Sequence, residues 1–308
     1  MAVCHRNRVG NRVKPAWFDY YAPRELDEAL HILADAGSDG RVLAGGQSLM
    51  PMLNLRILSP AVVVDINRIE ALNRLDAGTD TLTVGALVRH ADLLRSADVR
   101  ERWPLVHEAT HQVAHMAIRN RGTVCGSVAH NDPSAEHPCV LLTLDGTVVI
   151  AGAQGRRELP AEEFFTGMLS NALEPGEMVV ELRYPQQPAN TGTAFVEFAR
   201  RLGDFAIASA AAALMMRNGV CERARLTISG MGEGPQRMRA AEDMLVGEAL
   251  DEGRAGSAFV MAVQSVVAAV DPADDVHASS SYRRHLAGVM AQQALETALK
   301  RARGRTDG

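Results

Sequence analysis

Apolar residues recur at three- and four-residue intervals at Leu26, Ala29, Leu30 and Leu33, the spacing of an amphipathic helix. Ala22-Pro23-Arg24-Glu25-Leu26 forms its entry and Gly37 ends it. Residues 41–44 make a short apolar strand that runs straight into a glycine turn, and residues 50–58 are apolar and helical or irregular. Residues 61–66 are a β-branched run of the kind that fills a buried strand. This order of strand, turn, helix and strand predicts an α/β unit over the first part of the chain.

Further strands are predicted at 81–87, 147–151 and 178–184, the last closed by Pro185. Helices are predicted at 90–94, 103–116 and 140–144. Asp145-Gly146 and Ala153-Gln154-Gly155 are turn signals bracketing the strand at 147–151. The composition breaks at Pro185-Gln186-Gln187-Pro188-Ala189-Asn190-Thr191-Gly192, where a domain boundary is expected. Beyond it lie strands at 193–199, 206–216 and 224–229, then helices at 239–245, 257–270 and 281–301. That order predicts a three-stranded sheet covered by helices, and the chain shows no internal repeat.

The chain has 308 residues, 47% of them hydrophobic, enough for two or three compact units. A net charge of -5 gives no reason to expect a nucleic-acid partner, and 4% aromatics leave few platforms for stacked bases. The four cysteines, Cys4, Cys125, Cys139 and Cys221, include no CxxC pair. They support neither a disulfide framework nor an iron–sulfur cluster, and reduced thiols point to the cytoplasm. No apolar run is long enough to span a membrane. Residues 1–14 carry Arg6, Arg8, Arg12 and Lys14 with no apolar stretch behind them and are expected to be a mobile lead; 303–308 are expected to be a polar tail.

Two glycine-containing turns carry the candidate chemistry. The first is Leu43-Ala44-Gly45-Gly46-Gln47-Ser48-Leu49. Its glycines let a ligand approach bare backbone, its N–H groups suit phosphate oxygens, and Ser48 adds a hydroxyl. The second, Thr123-Val124-Cys125-Gly126-Ser127, repeats that chemistry and is followed by Asn131, Asp132 and Glu136. Carboxylates there suit ribose hydroxyls. Neither turn is a GxGxxG or a Walker A loop. Each alone is also compatible with an ordinary strand-to-helix turn, and Asp132-Pro133 with simple turn initiation before Ser134. Two such turns in one chain suggest two loops around one large anionic ligand, with a dinucleotide as the candidate.

Other constellations are poorer. His111 and His115 have i,i+4 spacing with Glu108 one turn earlier, but no HExxH is present. Cys125, His130, His137 and Cys139 fit no zinc spacing, so no metal site is expected. There is no GxSxG elbow, and Ser279-Ser280-Ser281 reads as a helix N-cap.

The two turns, with Ser59-Pro60, Val64-Asp65-Ile66, Gly176-Glu177-Met178-Val179-Val180-Glu181, Arg200-Arg201-Leu202-Gly203-Asp204-Phe205-Ala206 and Tyr282-Arg283-Arg284-His285-Leu286-Ala287, occur in the order and spacing of one family. Over roughly residues 16 to 300 the chain resembles the medium FAD-binding subunit of the molybdenum hydroxylases, a group that includes carbon monoxide and xanthine dehydrogenases. The resemblance implies an α+β protein: two α/β subdomains, about 15–68 and 69–188, forming a PCMH-type FAD-binding domain, then a C-terminal domain over 189–302 with a three-stranded antiparallel sheet and helices. It implies that Ala44, Gly45, Gly46, Gln47 and Ser48, with Thr123, Val124, Cys125, Gly126 and Ser127, wrap the FAD pyrophosphate, and that Leu43 and Leu49 flank the first turn in the cofactor site. Asn131, Asp132 and Glu136 follow that motif, Glu136 on its acidic position; Val179 falls at an aliphatic contact and Asp204 in the loop beside the isoalloxazine.

Three positions depart from the pattern. Gln47 stands where relatives have His or Asn, Cys125 where they have Gly, and Phe195-Val196-Glu197-Phe198 lacks a usual Lys. The implied function is electron transfer in a cytoplasmic heterotrimer. A large subunit would hold molybdopterin and a small subunit two 2Fe–2S clusters, and electrons would leave through the FAD of this chain to an external acceptor. A dimer of heterotrimers is the implied assembly. No residue need act as a catalytic acid, base or nucleophile, because the redox chemistry belongs to the flavin. Two alternatives stand beside it: a self-contained FAD-dependent alcohol or lactone oxidoreductase, and a flavin-free assembly or interaction protein.

Overall fold

The computed structural model describes residues 15–250 and 256–306, so the lead expected at 1–14 lies outside the described residues. The chain opens with β1 (Asp19–Tyr21), α1 (Leu26–Ala36), β2 (Gly40–Leu43), α2 (Leu49–Asn54) and β3 (Val62–Asp65). The three strands form a parallel sheet in the order β1-β3-β2. Ala29, Leu30 and Leu33 are the buried stripe of α1, as their spacing predicts. Gly37 stops that helix in a left-handed conformation, φ 54°, and donates its N–H to Leu33 O.

A longer stretch follows: β4 (Leu75–Ala77), β5 (Thr81–Gly85), α3 (His90–Arg95), α4 (Ala97–Arg102), α5 (Pro104–Gln112), α6 (Met116–Arg119), α7 (Val124–His130) and α8 (Glu136–Thr143). Then come β6 (Thr147–Gly152), β7 (Gly155–Pro160), α9 (Ala161–Phe164), β8 (Phe165–Gly167), β9 (Ser170–Asn171) and β10 (Met178–Pro185). Strands β4-β5-β10-β6-β7 make a five-stranded antiparallel sheet. The single helix expected over 103–116 is broken. Ala114 takes φ 39°, and Arg119 Nη1 donates to Val113 O at 2.8 Å and Ala114 O at 2.9 Å, drawing the chain into a corner between α5 and α6.

The C-terminal part contains β11 (Thr191–Phe198), β12 (Ala208–Arg217), β13 (Val220–Ser229), β14 (Gln236–Arg237), α10 (Arg239–Asp243), α11 (Ser257–Ala269) and α12 (Ser280–Thr306). The three long antiparallel strands expected here are present, and two-residue β14 adds a fourth. Gly192 of β11 lets α12 lie close on the sheet: a Cβ there would stand 1.9 Å from Ala298 O. The tail expected at 303–308 is, through Thr306, the last stretch of α12.

One face of the β11-β12-β13 sheet joins α10, α11 and α12 in a core that includes Ala194, Ala210, Leu226 and Ile228. The other face looks at the first domain, and its Phe195 and Ala211 belong to that domain's core. Polar clasps edge this seam. Arg301 reaches Glu108 at 2.7 and 3.0 Å, and Glu108 Oε2 also accepts from Phe195 N at 3.2 Å. At the other end Asp145 accepts from Arg223, from Arg225 at 3.0 Å and from Arg237 at 2.8 Å.

Candidate cofactor site

The first glycine turn leaves the end of β2 and feeds α2. Gly46 has φ 72°, a left-handed conformation that glycine adopts without strain. Met50 N–H donates back to Gly46 O at 3.2 Å, and Gln47 Nε2 donates to Gly45 O at 3.1 Å. The N–H groups of Gly46, Gln47 and Ser48 find no acceptor among the described residues. They are backbone donors clustered at a turn, the chemistry an anion requires.

The second motif is folded differently from its reading as a turn. Val124, Cys125, Gly126 and Ser127 are the first residues of α7, and the turn proper is Arg121-Gly122-Thr123. Thr123 is the N-cap: its Oγ1 accepts from Gly126 N–H at 3.1 Å, which leaves the hydroxyl proton free to donate. A Cβ on Gly126 would sit 2.6 Å from that oxygen, so a side chain there would press on the cap. Cys125 points away from the turn. It is buried beneath the five-stranded sheet with its Sγ 3.4 Å from Val84 O, and burial holds its thiol protonated. Its Cβ therefore does not crowd the turn.

The two turns, roughly eighty residues apart in sequence, are in direct contact. A Cβ on Gly45 would stand 2.6 Å from Arg121 O, 2.7 Å from Gly122 Cα and 3.0 Å from Thr123 N. Side chains far from either motif brace this junction. Asn67 Nδ2 donates to Ala44 O at 2.8 Å, and its Oδ1 accepts from Arg89 Nη2 at 2.6 Å. Arg89 in turn donates through Nη1 to Arg121 O. Asp65 holds Asn67 N at 2.9 Å and is itself held by Tyr20 Oη at 2.6 Å. Sequence reading missed Gly122, Asn67 and Arg89; of the three, only Gly122 carried a local signal.

The remaining expected residues are spread around this cradle. Asn131 is buried at the left-handed end of α7, φ 48°. Its Nδ2 donates to Gly167 O at 2.8 Å and Ser170 O at 2.9 Å, holding the β8–β9 hairpin, and its Oδ1 has no partner among the described residues. Asp132 Oδ1 accepts from Ser134 N at 2.9 Å in an Asx turn. Glu136 opens α8, half-buried, and burial with the charge of Glu197 pushes its carboxyl up to about 8. Val179 is packed into the core of the first domain at a bulge in β10. Asp204 is exposed in the loop after β11, where Gly203 lies against the His115 ring.

Residues 16–187 match the family described as the FAD binding domain in molybdopterin dehydrogenase, and residues 193–298 match the CO dehydrogenase flavoprotein C-terminal domain. The chain belongs to this FAD-binding family of molybdopterin dehydrogenases. It is 41% identical to subunit alpha of the 6-hydroxypseudooxynicotine dehydrogenase complex of Paenarthrobacter nicotinovorans, covering 94% of this chain and 97% of that one. It is 34% identical to the carbon monoxide dehydrogenase medium chain of Hydrogenophaga pseudoflava, covering 93% and 99%. The solved carbon monoxide dehydrogenase from H. pseudoflava lacking the Mo-pyranopterin moiety superimposes with a TM-score of 0.89 at 36% identity, over 93% of this chain and 99% of that one. Quinoline 2-oxidoreductase from Pseudomonas putida 86 superimposes with a TM-score of 0.86 at 36% identity, over 95% and 99%.

This molybdopterin-dehydrogenase flavoprotein therefore takes FAD as its cofactor. The cradle suits it: free N–H groups, one free hydroxyl and a bare backbone junction that side chains would fill. Behind the second turn lies a buried pair, His90 and His137, stacked with ring centroids 5.0 Å apart. His90 Nδ1 is 3.2 Å from His137 Nε2, and a Cβ on Gly122 would touch the His90 ring at 3.0 Å. Burial, then the charges of Arg119 and Arg89, push His90 down to about 4. Burial and then His90 hold His137 well below its ordinary value.

Both rings are thus neutral in the folded protein, and their folded-state proton affinity is below that of the unfolded chain. The stability they contribute is complete above about pH 6.5, the unfolded value, and is lost as pH falls toward about 4. Unfolding by urea should show that acid loss, and His137→Leu should flatten it. An unchanged acid profile in His137→Leu would place the loss elsewhere.

Proposed function

We propose that this chain is the FAD-binding medium subunit of a heterotrimeric molybdenum hydroxylase. In that complex a large subunit holds molybdopterin, a small subunit carries two 2Fe–2S clusters, and the heterotrimer pairs into a dimer in the cytoplasm. The observation that carries the reading is the contact of the two glycine turns at Gly45 and Gly122, which makes one cradle of two motifs. The family match and relatives covered over nearly their whole length support it.

When bound, FAD supplies the exchange of electrons between the partner's clusters and an outside acceptor. The protein's own residues bind and orient it. Gly46, Gln47 and Ser48 offer backbone N–H groups, and Thr123 and Ser127 offer hydroxyls, to the pyrophosphate. Leu43, Ala44 and Leu49 frame the first turn, and Val124, Cys125 and Gly126 form the first turn of helix behind the second. Asn131, Asp132 and Glu136 line the way from that cradle to the seam with the C-terminal sheet, where Gly230 N–H donates to Pro133 O at 2.7 Å. Asp204 is exposed in the loop after β11 and faces the flavin end of the site in this reading. Val179 contributes from within the core of the first domain.

Purified protein should be yellow and release FAD, not FMN, on denaturation. Expressed with its neighbouring genes, it should co-purify with two partners, one rich in paired cysteines. A chain that FAD cannot turn yellow overturns the reading. Turnover of a small alcohol or lactone by the isolated chain would replace the subunit role with a self-contained enzyme.

A further inference from the structure

Gly122 of the second turn is held between two neighbours. On one side is Gly45, where a Cβ would stand 2.7 Å from Gly122 Cα. On the other is the His90 ring: a Cβ on Gly122 would lie 3.0 Å from its Cδ2 and 3.2 Å from its Nε2. Residues 88–90 run antiparallel to residues 122–124. Val124 N–H donates to Val88 O at 3.1 Å, and His90 N–H donates to Gly122 O at 3.2 Å. These backbone bonds fix where the His90 side chain starts, and its ring backs the turn.

Behind His90 stands His137, fully buried in the first turn of α8. The contact of His90 Nδ1 with His137 Nε2, 3.2 Å, needs one proton between the two nitrogens. Thr110 decides which ring carries it. Its hydroxyl donates to Val106 O at 2.6 Å, so towards His137 Nε2, 3.5 Å away, its oxygen can only accept. A proton on His137 Nε2 thus faces two acceptors. The other tautomer would put an N–H on His137 Nδ1, which is buried with no partner among the described residues, and an unmet N–H is the costlier orphan. His137 therefore donates, His90 Nδ1 accepts, and the His90 proton sits on Nε2, at the edge that meets Gly122. Turning the His90 ring over would bring a C–H against His137 and lose the bond.

Two imidazoles are a costly filling for a dry core, since an apolar pair would leave no orphaned nitrogen. What they supply beyond volume is direction: a hydrogen bond in the interior selects one arrangement where apolar packing allows several. The arrangement selected here is the placing of Gly122 against Gly45. We propose that His137 is a positioning residue for the cofactor: its Nε2–H fixes the His90 ring behind Gly122 and so holds the second turn closed against the first. This role presupposes the FAD-binding reading above. It runs through a chain of contacts, His137 to His90 to Gly122 to Gly45, in which neither histidine need touch the ligand.

Nitrogen NMR of the histidine rings in the FAD-loaded full chain at neutral pH should show His137 protonated on Nε2 and bare on Nδ1. The dissociation constant for FAD should rise about fivefold or more in His137→Leu, which keeps the bulk and removes the donor. His137→Gln, whose amide N–H reaches the place of Nε2, should restore native affinity. A role in core packing alone gives the reverse order, with Leu tolerated and the polar Gln damaging. Leu binding FAD as tightly as the native protein, or Gln binding it no better than Leu, overturns the positioning role while leaving FAD binding intact. A native His137 protonated on Nδ1 does the same, even where a variant fails to fold. A native chain that takes up no FAD overturns both.

Discussion

Gly45→Ala should strip the protein of its flavin. The new Cβ would meet Arg121 O at 2.6 Å, Gly122 Cα at 2.7 Å and Thr123 N at 3.0 Å, all of them backbone atoms that cannot swing aside. The turns must separate, and the hydrogen bonds that hold Asn67 to Ala44 O and Arg89 to Arg121 O must lengthen with them. A ligand gripped from both sides then loses one side. Retained FAD per chain after desalting should fall at least about tenfold, equivalent to about 1.4 kcal/mol of binding. Gly304→Ala is the control, since a Cβ there meets nothing within 4 Å. Full FAD occupancy in Gly45→Ala would show that the two turns do not share one ligand.

The largest stability loss is expected at Glu242. Its side chain and that of Arg237 are each only 5% exposed, and the two are ion-paired. Glu242 Oε1 also accepts from Leu226 N at 2.7 Å, fixing the middle of β13. Arg237 reaches on to Leu142 O at 3.2 Å and Asp145 Oδ1 at 2.8 Å, which ties α8 to the C-terminal sheet. Glu242→Ala leaves a buried guanidinium short of charge and an amide short of an acceptor. Breaking a buried pair in this way costs about 3–5 kcal/mol, read as a lowered urea midpoint. Arg74→Ala removes the exposed Arg74–Asp76 pair and should cost under about 1 kcal/mol. Equal losses in the two variants would mean that Glu242 is not the anchor its burial implies.

Where hydrophobic spacing decides structure, the sequence was readable. The stripe Ala29, Leu30, Leu33 is buried in α1, and the three long strands of the C-terminal sheet lie where their runs place them. Strand β7 was missed because Gly155–Pro160 is a polar edge, stabilised by pairing with β6 and not by its own composition. The corner at Ala114 was missed because the side chain of Arg119, a few residues on, folds back to hold it, and hydrophobic spacing does not register such a contact. In the site, glycines announced both turns, yet the reading began at Thr123, the last residue of the second turn, and omitted Arg121 and Gly122. Cys125 belongs to a helix whose buried side faces the sheet, a direction that depends on knowing α7 exists. Asn67 and Arg89 matter through what the fold brings to them, and no local pattern marks such residues.

The junction of Gly45 with Gly122 also dictates an order of events for a chain emerging from the ribosome. The first turn is synthesised long before its counterpart, and closing so long a segment must be driven by packing of the intervening helices and strands. The cradle is therefore among the late features of folding, and flavin capture follows from completed assembly. Because FAD binds only that finished state, each bound molecule lowers the concentration of free folded chain and draws the folding equilibrium forward. The supply of FAD would then bear on what fraction of the synthesised chain stays folded.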